Sequence, residues 1–271
     1  MSVRSTYSDG TPAVAFRIAR ATGEVLAERS PDARFYPAST VKLAVLAAVG
    51  RLLEVGELSL EQQLISRDTF VSAVTGSPDY RLVPDDVDHG MAPAGSPISL
   101  ADVVERMIAV SSNEATNLLY ELIGFDEVNR VLADAGAVSS RVSRKFGDFA
   151  AAATHGPDGG NVITAGDLAA LMGALVSGRL AGPNWSDWMA RMLSRQQFGV
   201  IGTQVPDGVR WGSKSGWVDG ILHDVAFIGE PGPQALIVSV CTRGFTEADG
   251  KEAIAALAAL TIGALAIAVG G

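Results

Sequence analysis

Cysteine is almost absent. Cys241 is the single one in 271 residues, which excludes an intramolecular disulfide and a cysteine-rich zinc site. It stands in the apolar run Leu236-Ile237-Val238-Ser239-Val240-Cys241 and reads as a buried strand residue. Basic residues are scarce, 21 against 30 acidic, and a formal net charge of −9 with no basic stripe speaks against a nucleic-acid partner. The polar start from Met1 to Gly10 lacks the apolar stretch of a secretory signal, so the expected location is the cytoplasm, or an exported one if a leader has been removed. No membrane partner is expected. The nearest thing to a span, Ala253 to Val269, is alanine-rich, contains Thr261 and Gly263, and falls short of the roughly 20 apolar residues required. It reads as a buried terminal helix. His89, His155 and His223 are the only histidines and have no metal-ligand spacing, so no metal is expected.

What is present suits a large core: 48% of residues are hydrophobic and 19% charged, which excludes global disorder. Alternation predicts a strand over Ala13 to Ala19, a turn at Ala21-Thr22-Gly23 and a returning strand over Glu24 to Glu28. From Ala38 onward, Val41, Leu43, Ala44, Leu46, Ala47, Leu52 and Leu53 predict a long, mostly buried helix. Residues 66 to 97 carry Pro78, Pro84, Pro93 and Pro97 and read largely as loop. Helical patterns resume at Leu100 to Val110, Asn113 to Ile123, Asp126 to Ala135, Asp167 to Val176 and Trp185 to Leu193. Val209 to Lys214, Ile221 to Ile228 and Ala235 to Thr242 then read as three strands before the terminal helix. The economical architecture is α+β: an antiparallel sheet built from both chain ends (1–35 and 205–271), flanked by helices, with a mostly helical subdomain (36–204) inserted. The cleft between the sheet and the inserted helices is the natural place for a site.

Of the four lysines, Lys42 alone has a serine three positions before it, in Ser39-Thr40-Val41-Lys42. If Ser39 opens a helix, the two residues share a face and the amine reaches the hydroxyl. A hydroxyl becomes a nucleophile once a neighbouring base takes its proton, and a lysine serves as that base when burial or a nearby cation keeps it neutral. Taken alone, the same residues also fit a plain helix cap and a solvated lysine. Two further elements accompany them: Ser111-Ser112-Asn113 between two helical segments, and Lys214-Ser215-Gly216-Trp217 on a predicted strand.

In this order and at these separations, the three elements resemble the Ser-x-x-Lys, Ser-Asp-Asn and Lys-Thr-Gly signatures of the serine β-lactamase and penicillin-binding protein superfamily, class A β-lactamases in particular. The resemblance runs over nearly the whole chain and implies a β-lactamase-like fold. It implies that Ser39 is the acylated nucleophile, that Lys42 is its base or proton relay, and that Ser111 passes a proton toward the leaving nitrogen. Asn113 would bind the substrate's amide side chain and orient Lys42, and Lys214 with Ser215 would meet a substrate carboxylate. Gly216 and Trp217 would line the substrate strand, the N–H groups of Ser39 and Trp217 forming an oxyanion hole. The expected partner is a small carboxylate-bearing molecule, and no cofactor is implied.

Two departures stand out. Ser112 replaces the aspartate of Ser-Asp-Asn, and no glutamate occurs between Glu127 and Glu230, where class A enzymes keep the one that directs deacylating water. Lining up Val142-Ser143-Arg144 with the start of that loop puts the missing base near Asp148 or Phe149, with Asp148 or His155 as substitutes, or as ordinary loop residues. Acylation is therefore expected to survive and deacylation to be impaired. The sequence supports a β-lactamase-like serine hydrolase first. Beside it stand an esterase, D-amino-acid peptidase or acyltransferase, and a penicillin-binding or sensor module that is acylated once without turnover.

Overall fold

The computed structural model describes residues 2–154 and 160–270, and of 265–270 the backbone alone. Its main sheet has five antiparallel strands: β1 (Ala13–Arg20), β2 (Val25–Arg29), β3 (Trp211–Val218), β4 (Ile221–Ile228) and β5 (Leu236–Arg243), in the order β2-β1-β5-β4-β3. The two chain ends thus meet in one sheet through the β1–β5 pairing, Phe16 opposite Val240. β4 is buried along its whole length because the sheet is covered on both faces. One face of β4 and β5, including Val225, Phe227, Ile237 and Cys241, joins the large helical core. The other, including Ala226, Val238 and Val240, packs with Ile254 and Ala258 of the C-terminal helix. Two-sided burial is why these strands read as continuous apolar runs instead of alternating ones.

The helices are α1 (Lys42–Glu54), α2 (Leu100–Ala109), α3 (Asn113–Asp134), α4 (Phe149–Thr154), α5 (Ala165–Val176), α6 (Pro183–Leu193) and α7 (Glu247–Gly270). α1 is apolar on every side and runs through the middle, with Lys42 through Gly50 all buried. Side-chain caps set the starts of three others: Ser99 accepts from the Asp102 N–H at 3.1 Å, Ser112 from Ala115 at 3.2 Å and Thr164 from Asp167 at 3.0 Å.

Several boundaries differ from the sequence reading for local reasons. The Ser39 segment is a 3-10 turn, Ala38–Val41, preceding α1. α3 runs past the expected break, but Gly124 interrupts it with φ 74° and ψ 159°, a conformation open to glycine, so the two predicted helices survive as halves around a kink. β3 begins at Trp211 and extends beyond Lys214 to Val218, since its pairing with β4 continues to Ile221. In the loop lined up from Val142-Ser143-Arg144, Ala150 to Ala153 are helical, in α4, started by Asp148, which accepts from the Ala151 N–H at 3.0 Å. α7 buries one face only: Ile254 and Ala258 are covered while Leu260 is 72% exposed. No described helix is long and apolar enough to cross a membrane.

Candidate active site

Ser39 sits on the 3-10 turn, where Thr40 Oγ1 donates to the Pro37 carbonyl at 2.7 Å. Lys42, three residues on, opens α1 and is fully buried. Its Nζ lies 3.0 Å from Ser39 Oγ, 3.2 Å from Ser111 Oγ, 2.8 Å from Asn113 Oδ1 and 2.5 Å from the Ser111 carbonyl. Ser111 reaches the amine with both hydroxyl and carbonyl because its backbone is left-handed, φ 59°. For a residue with a Cβ that conformation costs about 1–2 kcal/mol, and it is held here by the packing of α2 against α3.

From the sheet side, Lys214 on β3 is also fully buried. Its Nζ is 3.1 Å from Ser111 Oγ and donates to the Ser215 carbonyl at 2.8 Å and to Gln196 Oε1 at 3.4 Å. Two amines therefore flank one hydroxyl. Burial pulls Lys42 well below the usual lysine range, and the neighbouring Lys214 charge adds to the effect. Burial also brings Lys214 down to about 7, opposed by the carboxylate of Asp224. Asp224 is itself buried and accepts from the Val200 and Ile201 N–H groups at 2.7 and 2.9 Å, its carboxyl pushed up by desolvation.

β3 runs directly against the nucleophile turn. A Cβ on Gly216 would fall 2.7 Å from Ser39 N and 2.8 Å from Thr40 N, so only glycine permits this approach. The result is a cavity of about 880 Å³ lined by Ser39, Ser111, Asn113, Ser215, Gly216 and Trp217 among others, with Trp217 50% exposed at its mouth. Six of the expected residues thus share one cavity, and Lys42 and Lys214 lie just beneath it. His223 stays out of the chemistry: its buried ring sits 2.8 Å from the Leu222 carbonyl and 3.0 Å from that of Tyr36, and burial lowers it to about 4, so it is neutral. Its contact ties β4 to the segment leading into Ser39.

Asp148 is not brought to this cluster. Its carboxylate accepts from Ser72 Oγ at 2.9 Å, Ala73 N at 2.7 Å and Ala151 N at 3.0 Å, so it starts α4 and pins a neighbouring loop. These three hydrogen bonds fit the structural alternative for Asp148 in preference to that of a substitute base. His155 lies outside the described residues. The loop residue that does meet Lys42 is Phe146, whose ring centroid is 4.5 Å from Nζ. Its backbone is fixed by Asn117, with two 2.9 Å hydrogen bonds, and by the Tyr80 hydroxyl at 3.0 Å. Sequence reasoning missed Phe146 and Gln196, which carry no motif, whereas a charged Asp224 within an apolar strand was a visible anomaly. Among the described residues, no group of three or more His, Cys, Asp or Glu side chains is placed to hold a metal ion.

Comparison with known proteins gives a consistent picture. The profile of the β-lactamase enzyme family (Beta-lactamase2) matches residues 3–265. The crystal structure of a β-lactamase from Sphaerobacter thermophilus is 32% identical with a TM-score of 0.78, covering 95% of this chain and 93% of that one. PBP-A is 20% identical with a TM-score of 0.75, covering 94% and 90%. A β-lactamase from Xanthomonas campestris pv. campestris is 23% identical with a TM-score of 0.74, covering 93% and 91%. No curated protein matches the sequence.

Proposed function

Because the chain belongs to the β-lactamase enzyme family, we propose that it is a serine acyl-hydrolase that opens β-lactams, or cleaves a related carboxylate-bearing amide or ester, through an acyl-enzyme on Ser39. The observation that carries this reading is the Lys42 amine, buried, held well below its ordinary pKa and 3.0 Å from the Ser39 hydroxyl. A neutral amine at that distance is a competent general base. It takes the Ser39 proton as Oγ bonds to the substrate carbonyl carbon. The oxyanion so formed is received by the backbone N–H groups of Ser39 and Trp217, each such donor contributing about 3 kcal/mol to transition-state stabilisation.

Collapse of that intermediate breaks the C–N or C–O bond, and the leaving atom needs a proton. Ser111 supplies it, since its hydroxyl lies 3.2 Å from Lys42 Nζ and is reprotonated by the ammonium formed in the first step. Lys214, 3.1 Å from the same hydroxyl, stabilises its transient negative charge and, with Ser215, attracts a substrate carboxylate. Asn113 holds Lys42 in place at 2.8 Å and offers its amide to the substrate's acyl side chain. Hydrolysis of the ester by water returns the proton and frees Ser39. The 32% identity to a protein solved as a β-lactamase supports β-lactams as a substrate class.

Phe146 favours a second reading in which the ester persists. Its ring lies 4.5 Å from Lys42 Nζ and limits the water that reaches the amine, and the carboxylate of Asp148 is taken up by three hydrogen bonds. Deacylation then becomes the slow step and the protein behaves as a penicillin-binding module. Intact-protein mass spectrometry over time with benzylpenicillin, nitrocefin and a p-nitrophenyl ester separates the readings. An adduct that decays as product accumulates supports the hydrolase, and a stable adduct supports the penicillin-binding reading. Turnover of the ester alone shifts the assignment to an esterase. Labelling that persists in Ser39→Ala overturns the nucleophile assignment.

A further inference from the structure

Two aromatic rings meet just upstream of the nucleophile. Tyr7 stacks face to face on Tyr36, with centroids 3.7 Å apart and planes 8° from parallel. Tyr36 stands three residues before Ser39, and its carbonyl is the one held by His223. Tyr7 comes from a short hairpin in which Arg4–Ser5 pairs with Ser8–Asp9. Residues at such turns are ordinarily small or polar and face water, whereas here an aromatic ring is packed inward. Two short strands make no stable unit alone. The hairpin is fastened to the end of the main sheet, where the Val3 N–H donates to the Gly244 carbonyl at 3.0 Å and Ser8 Oγ donates to the Val3 carbonyl at 2.8 Å.

Tyr7 touches two parts of the site's frame. Its ring packs with Tyr36, Ala38, Val218 and Ile221 in a small apolar cluster. Ala38 precedes Ser39 and Val218 follows Trp217, so each backbone N–H offered to an oxyanion adjoins a member of that cluster. Ala38 is also strained. Its φ of 46° lies in the left-handed region that residues with a Cβ avoid, and such a residue persists only where its surroundings over-determine it. The stacked rings belong to those surroundings. The Tyr7 hydroxyl reaches a different element, accepting from Arg144 Nη2 at 3.1 Å, and the same guanidinium lies 5.4 Å from the Tyr36 ring centroid. Arg144 is buried, and its backbone N–H donates to Asn161 Oδ1 at 3.2 Å. Two residues further on is Phe146, against Lys42. One side chain thus joins the turn that carries the nucleophile to the loop that covers its base.

We propose that Tyr7 is a positioning residue for acylation, its ring bracing the nucleophile turn and its hydroxyl bracing the Phe146 loop. Resting on the acyl-enzyme reading above, this role extends the catalytic frame to a hairpin outside the cavity lining. Two substitutions separate the two arms: Tyr7→Phe keeps the stack and removes the hydroxyl, and Tyr7→Leu removes both. Stopped-flow acylation with nitrocefin is followed as a function of concentration and pH. In Tyr7→Leu the maximal acylation rate should fall at least about tenfold while the half-saturating concentration stays within about twofold, because nucleophile and oxyanion donors lose alignment and substrate contacts remain. In Tyr7→Phe the maximal rate should stay within about twofold, while the pH of half-maximal acylation moves up by about half a unit as the loosened loop lets water reach Lys42. Val238→Ala, a cavity in the middle of β5 and outside this cluster, controls for lost stability: it should lower Tm and leave both readings native. A Tyr7→Leu protein that acylates within about twofold of the native rate, or a Val238→Ala protein slowed as much, would overturn the role of the ring. An unshifted profile in Tyr7→Phe would overturn that of the hydroxyl, and this variant decides the outcome if thermal melting shows that the leucine protein does not fold. Failure of nitrocefin, benzylpenicillin and a p-nitrophenyl ester to label Ser39 in the native protein would instead bring down the acyl-enzyme reading and this one with it.

Discussion

Replacing Gly216 by alanine tests the closest contact in the site. The added methyl would lie 2.7 Å from Ser39 N, 2.8 Å from Thr40 N and 2.9 Å from the Pro37 carbonyl, where ordinary van der Waals contact begins at 3.4 Å. About 0.7 Å of separation must be found between β3 and the nucleophile turn. All three neighbours are backbone atoms, so no flexible side chain can swing aside. Overpacking of this kind costs about 2 kcal/mol, which for a chain of this size lowers Tm by about 3–4 °C. The effect on chemistry should be larger. The same displacement moves the Ser39 and Trp217 N–H groups apart, and a misplacement of about 1 Å costs roughly a hundredfold in rate. Stopped-flow acylation with nitrocefin, beside thermal melting, separates the two losses. An alanine variant that acylates within about twofold of the native rate and melts at the native temperature would refute the described approach of β3 to Ser39.

Removing the ring in Phe146→Ala lets water reach Lys42, so the amine regains part of its ordinary basicity. The pH at which acylation reaches half its maximum should shift upward, and an unshifted profile would show that the ring does not contribute to the burial of the amine. Lys214 is charged below about pH 7 and neutral above it. KM for a carboxylate-bearing substrate should therefore rise as pH passes upward through 7, while that of an uncharged ester stays flat; parallel curves would remove Lys214 from carboxylate recognition. Asp148→Asn cannot accept at both oxygens and strands a backbone N–H such as that of Ala73, a loss of about 1–3 kcal/mol in stability read by urea melting. Deacylation should keep its native rate in that variant, and an acyl-enzyme trapped by it would restore Asp148 as the base.

The local chemistry and the layout of the chain were legible in the order of residues. Serine and lysine three residues apart reach each other on any helical turn, whether 3-10 or α, so the Ser39–Lys42 pair was legible despite the difference in turn type. Likewise, apolar runs at both ends of the chain require partners, and the β1–β5 pairing supplies them. Meetings between residues far apart in sequence come from the folded chain alone. Ser111 receives Lys42 from 69 residues away and Lys214 from 103, and no periodicity encodes that both amines converge on one hydroxyl. The same holds for Phe146 beside Lys42, and for Asp148, whose acidic side chain in the right loop turned out to be engaged elsewhere. Burial is the physical reason. Whether a lysine is a base or a surface charge, and whether an aspartate is a catalyst or a cap, depends on how much water packing removes from it, and packing is a property of the whole fold.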